Sequence, residues 1–212
     1  MTAKSNVIKV NPQNPAAADI TRAADVVRAG GVIAFPTRCL YGLGADAFNT
    51  EAVERIFRIK QRSFHNPILI LIDQPNRLDR LVSEVSPVAA RIMDHFWPGR
   101  ITLVFGAGEA VPTYLTAGTG KIGIRLPGQP VAAALVKALQ TPLTGTSANL
   151  SGKPGCRRIE DLEFQIASKL DLILDAGPLK GGRGSTVVDV TAAKPEILRE
   201  GEISAAEIME LL

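Results

Sequence analysis

The residues of this 212-residue chain that could do chemistry are cations at the end of one helix and two loops rich in glycine and hydroxyl groups. The stretch ERIFRIKQRSFHNP carries Arg55, Arg58, Lys60 and Arg62 and closes on Asn66 and Pro67. Arg55, Arg58 and Arg62 recur at three- and four-residue spacing, which allows them one helical face. Such a face is either a solvated basic surface or part of a phosphate clamp. Lys60 and Arg62 favour the clamp, because they stand at a helix end beside a strand, where open α/β sheets place ligands. Arginine offers phosphate a bidentate fork and lysine a point charge.

The loop TGTSANLSGKPG, residues 144–155, is dense in small hydroxyl, amide and glycine residues. Its backbone can approach an anion closely and donate to it. It lacks Walker spacing, and alone it reads equally as a surface turn. GPLKGGRGSTVVDV, residues 177–190, is similar, with Lys180 and Arg183 ahead of Ser185 and Thr186. Arg125 interrupts the apolar KIGIRLP and Arg199 follows PEIL. Either can point to solvent, and Arg125 can instead anchor a carboxylate. His95, beside Phe96 and Trp97, reads as packing, and His65 as a loop residue near a ligand or a plain loop residue. No Ser/His/Asp or Cys/His set calls for covalent catalysis. Cys156 reads as a loop thiol.

Elements must position these groups. Helical periodicity predicts helices over residues 15–29, 50–59 (with Thr50 as N-cap), 86–96, 130–139, 159–169 and 204–212. Apolar runs predict strands at 7–10, 31–35, 68–72, 101–105, 121–126, 172–175, 185–190 and 196–199, with one more entering the loop at 144; residues 36–44 read as a loop. Alternating strands and helices predict an α/β fold, a twisted open mixed sheet flanked by helices. No linker or repeat divides the chain, so one domain over 1–212 is expected. The apolar fraction, 46%, supports a large core. No apolar run is long enough to cross a membrane, and no signal peptide is evident, so a cytoplasmic protein without membrane partners is expected. The chain has 2 cysteines and 2 histidines, without CxxC spacing, which argues against a disulfide framework or zinc site. No protein metal ligand is expected. A net charge of +3 fits anionic small molecules or nucleic acid and selects neither.

In order along the chain stand GGVIAFPT, YGLGADAFN, AVERIFRIKQR, FWPG, GIRLP, TSAN, SGKP, STVVD and ILREG. With them the chain resembles the Sua5/YrdC/YciO family over residues 15–205, and the ordered set is specific where no single piece is. The resemblance implies the YrdC-like fold, as a single catalytic domain without the C-terminal extension of longer members. It implies synthesis of threonylcarbamoyl-AMP and pyrophosphate from threonine, bicarbonate and ATP, with Mg²⁺ shared among phosphate oxygens. The product feeds t6A modification of tRNA, so the t6A transferase machinery is an implied partner. Lys60 and Arg62 would hold the triphosphate as catalytic residues. Asn66, Lys121, Ser147 and Arg199 fall at nucleotide-contacting positions, and Asn149 would support the loop around Ser147. Thr37, Cys39, Arg125 and Ser185 fall on the threonine side.

The chain departs from the family pattern on that threonine side. In PTRCLYGLG, Arg38 stands at a usually acidic position and Cys39 at a threonine. Leu71 and Gly184 replace a usual His and Glu. Two alternatives therefore accompany the synthase reading. One is a YciO-type paralogue acting on another small acid or intermediate. The other is a double-stranded-RNA-binding or ribosome-associated module, with tRNA or double-stranded RNA as partner, suggested by the basic helix face, although aromatics for base stacking make up only 5% of the chain.

Overall fold

The computed structural model describes residues 6–212. Its strands are β1 (Val7–Lys9), β2 (Ile33–Pro36), β3 (Tyr41–Gly44), β4 (Leu69–Leu71), β5 (Ile101–Gly106), β6 (Lys121–Arg125), β7 (Leu143–Ser147), β8 (Leu172–Asp175), β9 (Thr186–Asp189) and β10 (Glu196–Arg199). The helices are α1 (Ala17–Arg28), α2 (Thr50–Lys60), α3 (Leu78–Leu81), α4 (Pro87–Phe96), α5 (Thr113–Thr116), α6 (Pro130–Leu139), α7 (Phe164–Ala167) and α8 (Ala205–Leu211).

Helices α2, α4, α6 and α8 start where a side chain satisfies an orphan backbone donor, whereas α1 follows Ala16 without a side-chain cap. The N-cap of α2 is Asn49, whose side chain accepts from Ala52 N at 3.0 Å; Thr50, expected there, is already inside the helix. Ser86 and Gln129 cap α4 and α6 in the same way, each followed by a proline whose missing N–H costs nothing at that position. The helix expected over 159–169 breaks into a 3₁₀ turn, Ile159–Asp161, and the single turn of α7.

The strands form a ten-stranded mixed sheet in the order β1-β8-β2-β3-β7-β4-β6-β5-β9-β10. The segment 36–44 is not a loop throughout. Residues 37–40 form a tight turn, in which Thr37 N and Oγ1 both donate to Leu40 O at 3.1 and 2.6 Å. Tyr41–Gly44 then returns as β3, antiparallel to β2. Glycine is a poor strand former unless another group comes close, and here one does. A Cβ on Gly44 would lie 2.8 Å from the Phe35 ring.

Side chains alternate strictly across the sheet. On one face Val32, Ala34, Ile70, Leu103, Ile124 and Val188 join α2, α4 and α8 in the larger core. On the other, Ile33, Phe35, Leu172 and Leu174 pack under α1 and α6 through Ala23, Ala24, Val27, Val131 and Leu135. This second core ends at Leu71 and Leu143. Beyond them no helix among the described residues joins it. None of the described helices is long and apolar enough to cross a membrane.

Candidate functional site

The uncovered part of that second face is the floor of a cavity of about 510 Å³. Its floor residues are those that each strand turns toward this face: Leu69 and Leu71, at the margin of the second core, Gly123 and Arg125, Thr102 and Val104, Val187 and Asp189. The register lays them in rows. Leu71 lies beside Arg125 and Thr102 beside Val187. Two residues along, Leu69 stands by Gly145, Gly123 by Val104, and Val104 by Asp189. Arg125 and Lys121 are four residues apart on β6, so their Cα atoms are about 13 Å apart along the strand. The cavity is therefore a groove with small or apolar residues in the middle and cations at both ends.

At one end Arg125 is fixed by a single bond, Nε to Gly99 O at 2.6 Å. Its terminal nitrogens have no partner among the described residues and line the cavity. Burial pushes its pKa down, while nearby Cys39 and Glu202 oppose the shift. Ser185, buried, shares a 2.9 Å hydrogen bond with Thr102. Arg199 donates to Ser185 O at 2.8 Å and reaches its Oγ at 3.5 Å. Thr37, Cys39, Leu71 and Phe35 complete this end. The Cys39 thiol is pushed up by burial and by the Glu202 carboxylate, and burial raises Cys156 to about 11. Neither is a ready thiolate at neutral pH. Arg38 does not line the cavity. It pairs with Glu202 at 3.1 Å from a half-exposed position.

At the other end stand Ser147, Lys121 and Arg62. Lys121 pairs with Asp189 at 2.7 Å. Burial would raise Asp189, but Lys121 and the Thr191 N–H and hydroxyl hold it below the usual carboxylate range. Arg62 donates to Asn66 O at 3.3 Å and Pro67 O at 2.8 Å, which turns it away from α2. The shared basic face expected for Arg55, Arg58 and Arg62 is not formed. Gln61 takes the left-handed conformation and ends the helix, and Arg55 pairs instead with Asp171 at 2.9 Å.

Lys60 lies one layer behind the wall. It is 1% exposed and does not line the cavity. Its ammonium donates to Ser147 O and, at 2.8 Å, to Asn149 O. Burial, with Arg62 adding to it, lowers its pKa to about 8. Asn149 closes the same loop by donating to Leu150 O at 2.7 Å and Lys153 O at 2.6 Å. Asn66 contributes its carbonyl to Arg62, and its side chain is exposed. The two histidines are also exposed and outside the cavity, with His95 edge-on to Phe96 at 4.6 Å.

Asp189 and Leu69 line the site and were not among the residues singled out, whereas Arg183, noted on the glycine-rich loop, does line it. Asp189 had a signal, since it is a carboxylate that ends the otherwise uncharged strand run STVVD. Arg183 sits on the glycine-rich loop, where Gly181, Gly182 and Gly184 have positive φ.

The family model described as Telomere recombination, for Sua5, YciO and YrdC proteins, matches residues 25–201. Threonylcarbamoyl-AMP synthase of Pyrococcus abyssi is 36% identical over 190 residues, 90% of this chain and 56% of that protein. The chain thus spans little more than half of that relative. The structure of P. abyssi Sua5 complexed with L-threonine superposes with a TM-score of 0.92 at 35% identity, covering 97% of this chain and 60% of that one. E. coli YciO superposes with a TM-score of 0.87 at 32% identity, covering 95% and 98%. The mixed sheet flanked by helices is the fold shared with both.

Proposed function

The chain belongs to the Sua5/YciO/YrdC family, and from that premise we propose that it is an ATP-using enzyme that makes threonylcarbamoyl-AMP. The observation that carries the reading is the groove with two charged ends. Arg125, with free terminal nitrogens, suits the carboxylate of an amino acid, and Lys121, Arg62 and Ser147 suit a polyphosphate. The apolar stretch between them keeps water from the reacting atoms.

The chemistry needs placement and charge, not an enzyme nucleophile. The deprotonated amino group of threonine condenses with bicarbonate, releasing water and leaving a carbamate. A carbamate oxygen then attacks the α-phosphorus of ATP, and the bond to pyrophosphate breaks. Arg125 and Ser185 hold the threonine carboxylate, with Thr37 and Cys39 against the rest of the molecule. Arg62 and Lys121 balance charge on the nucleotide, while Arg199, expected on the nucleotide side, is bonded to Ser185 beside the threonine end. Lys60 and Asn149 act through the loop, holding Ser147 at the cavity edge.

For Mg²⁺ the residues allow a limited role. No group of three potential ligands occurs among the described residues. Asp189 is the carboxylate that lines the groove. An ion that arrives on phosphate oxygens needs only one or two carboxylates, and Asp189 fits that need. Such an ion would offset phosphate charge.

The product would pass to a transferase acting on tRNA, in the cytoplasm where tRNA and ATP meet. The RNA-binding alternative loses its basic face, because Arg55 is committed to Asp171. The YciO-type alternative keeps one specific support, the apolar Leu71 and the thiol Cys39 at the small-acid end. Pyrophosphate release from ATP and bicarbonate decides between the two. Release that requires threonine is expected; ATP binding without it would replace threonine with another small acid.

A further inference from the structure

The small-acid end of the groove is surrounded by more positive charge than one carboxylate needs. Arg125 lines it, Arg199 borders it through Ser185, and Arg183 lines the same groove. Arg38 and Lys180 stand on the two loops that close it, with side chains 47% and 63% exposed. One group opposes the last pair. The Glu202 side chain is only 9% exposed, and its Oε1 accepts from Lys180 Nζ at 2.8 Å and Arg38 Nε at 3.1 Å. Its backbone N–H donates to Gly184 O at 3.0 Å. Its other oxygen, Oε2, is buried, and the Cys39 thiol of the groove interacts with the same carboxylate. Gly181 N donates to Cys39 O at 2.9 Å, so the two loops also meet next to this carboxylate.

We propose that Glu202 is a positioning residue that sets which acids the groove accepts. By drawing Arg38 and Lys180 onto one oxygen, it keeps both cations out of the small-acid end, which then takes a ligand with one carboxylate and rejects one with two. This rests on reading that end as an amino-acid receptor.

The physical reason is the reach of the two side chains. Arginine and lysine on exposed loops swing freely, and their charged heads follow the nearest anion. Backbone bonds at Leu179, Gly181 and Gly184 tie the Lys180 loop, so the Lys180 side chain, and not its backbone, is what can swing. Glu202 holds both heads away, while its own charge is cancelled by them. A ligand bringing a second carboxylate must then do without the two cations that Glu202 holds, and selectivity of this kind comes from what the wrong ligand lacks.

The test is calorimetric titration of the full chain with propionate and succinate, and with L-threonine and L-aspartate in the presence of ATP. The wild type is expected to prefer propionate and threonine. Glu202→Gln is expected to move both preferences toward the diacid by about tenfold or more, as an unpaired charge at a recognition site does. Adding Arg38→Gln to it is expected to move them back. A purely structural role would weaken mono- and diacids alike, and equal loss or an unchanged ratio overturns the proposal. Arg38→Ala with Lys180→Ala, both on exposed side chains, is the second variant. It leaves Glu202 unopposed and is expected to weaken propionate and succinate together. Unchanged affinities there also overturn the proposal. If the wild type binds propionate but not threonine, the amino-acid reading fails, and the propionate-to-succinate ratio still decides the role of Glu202. A wild type that binds none of the probes overturns both.

Discussion

One face of the sheet has two halves with opposite fates. Over β1, β8 and β2 it carries Ile33, Phe35, Leu172 and Leu174, and α1 and α6 cover them. Over β4, β6, β5 and β9 it carries Gly123, Thr102, Val104, Val187 and three charged residues, and the groove lies above them. The same strands are largely apolar on their other face, with Ile101, Leu103, Ile122, Ile124 and Val188 in the main core and the buried Thr186 hydroxyl bonded to Ile203 O. A sheet face that no helix covers cannot be large and apolar without inviting association. Small residues there leave room, and the sparse charges among them are held in place by buried strands. The covered half makes stability, and the bare half makes a binding surface on the same frame.

That division can be broken from either side. The largest effect is expected in the covered half. Leu135→Ala removes a fully buried side chain between α1 and α6 and should cost about 2–5 kcal/mol in denaturant unfolding. ATP affinity of the protein that remains folded should not change. In the bare half the pattern should invert. Arg125→Ala should weaken small-acid binding about 100-fold by calorimetry, since it removes charge-assisted hydrogen bonds, while stability moves by about 1 kcal/mol. A comparable loss of stability in both variants would erase the distinction.

Lys60 sharpens the boundary between the halves. A free lysine titrates near 10.5 and Lys60 near 8. Between those values the unfolded chain holds more protons, so this group makes stability rise with pH. The cost of burying the charge is full below pH 8 and is relieved above it. Lys60→Met should remove this rise, seen by comparing unfolding at pH 7 and pH 10, and should also raise the KM for ATP by releasing Ser147. A variant with the same pH dependence as the wild type would mean that the ammonium is not buried in solution. The smallest effect is expected at Gly145→Ala. Its Cβ would lie 2.7 Å from Leu69 Cδ1 and 3.3 Å from Leu71 Cδ2, the ends of side chains that can move into the groove. Stability should change by less than about 1 kcal/mol, and ligand affinity should fall a few-fold as volume is lost.

Much of the fold was legible. The limits of β8, β10 and α6 are those expected from the apolar runs and periodicity, because apolar stretches bounded by turn residues leave little choice. The hairpin through Gly42 and Gly44 was not legible. Those glycines are there for the Phe35 ring and for Thr37, which come against them only once the hairpin has closed. At the site, the clustering of Arg125, Ser185, Lys121, Ser147 and Arg62 around one cavity follows from residue types at strand edges. The placement of Lys60 does not. A lysine at a helix end looks available for phosphate, and only the loop folded over it uses up its ammonium.

By itself, then, the sequence determined the class of fold, the loops that carry polar chemistry and the family to which the chain belongs. These depend on local periodicity and on ordered motifs, which are written along one dimension. The tertiary structure alone decided which side of each strand stays uncovered, and therefore that Asp189 faces the groove. It also placed Lys60 behind the wall and drew Arg38 to Glu202, 164 residues away. Those outcomes depend on strand order and on where a charge finds its partner, and neither is fixed until distant segments meet.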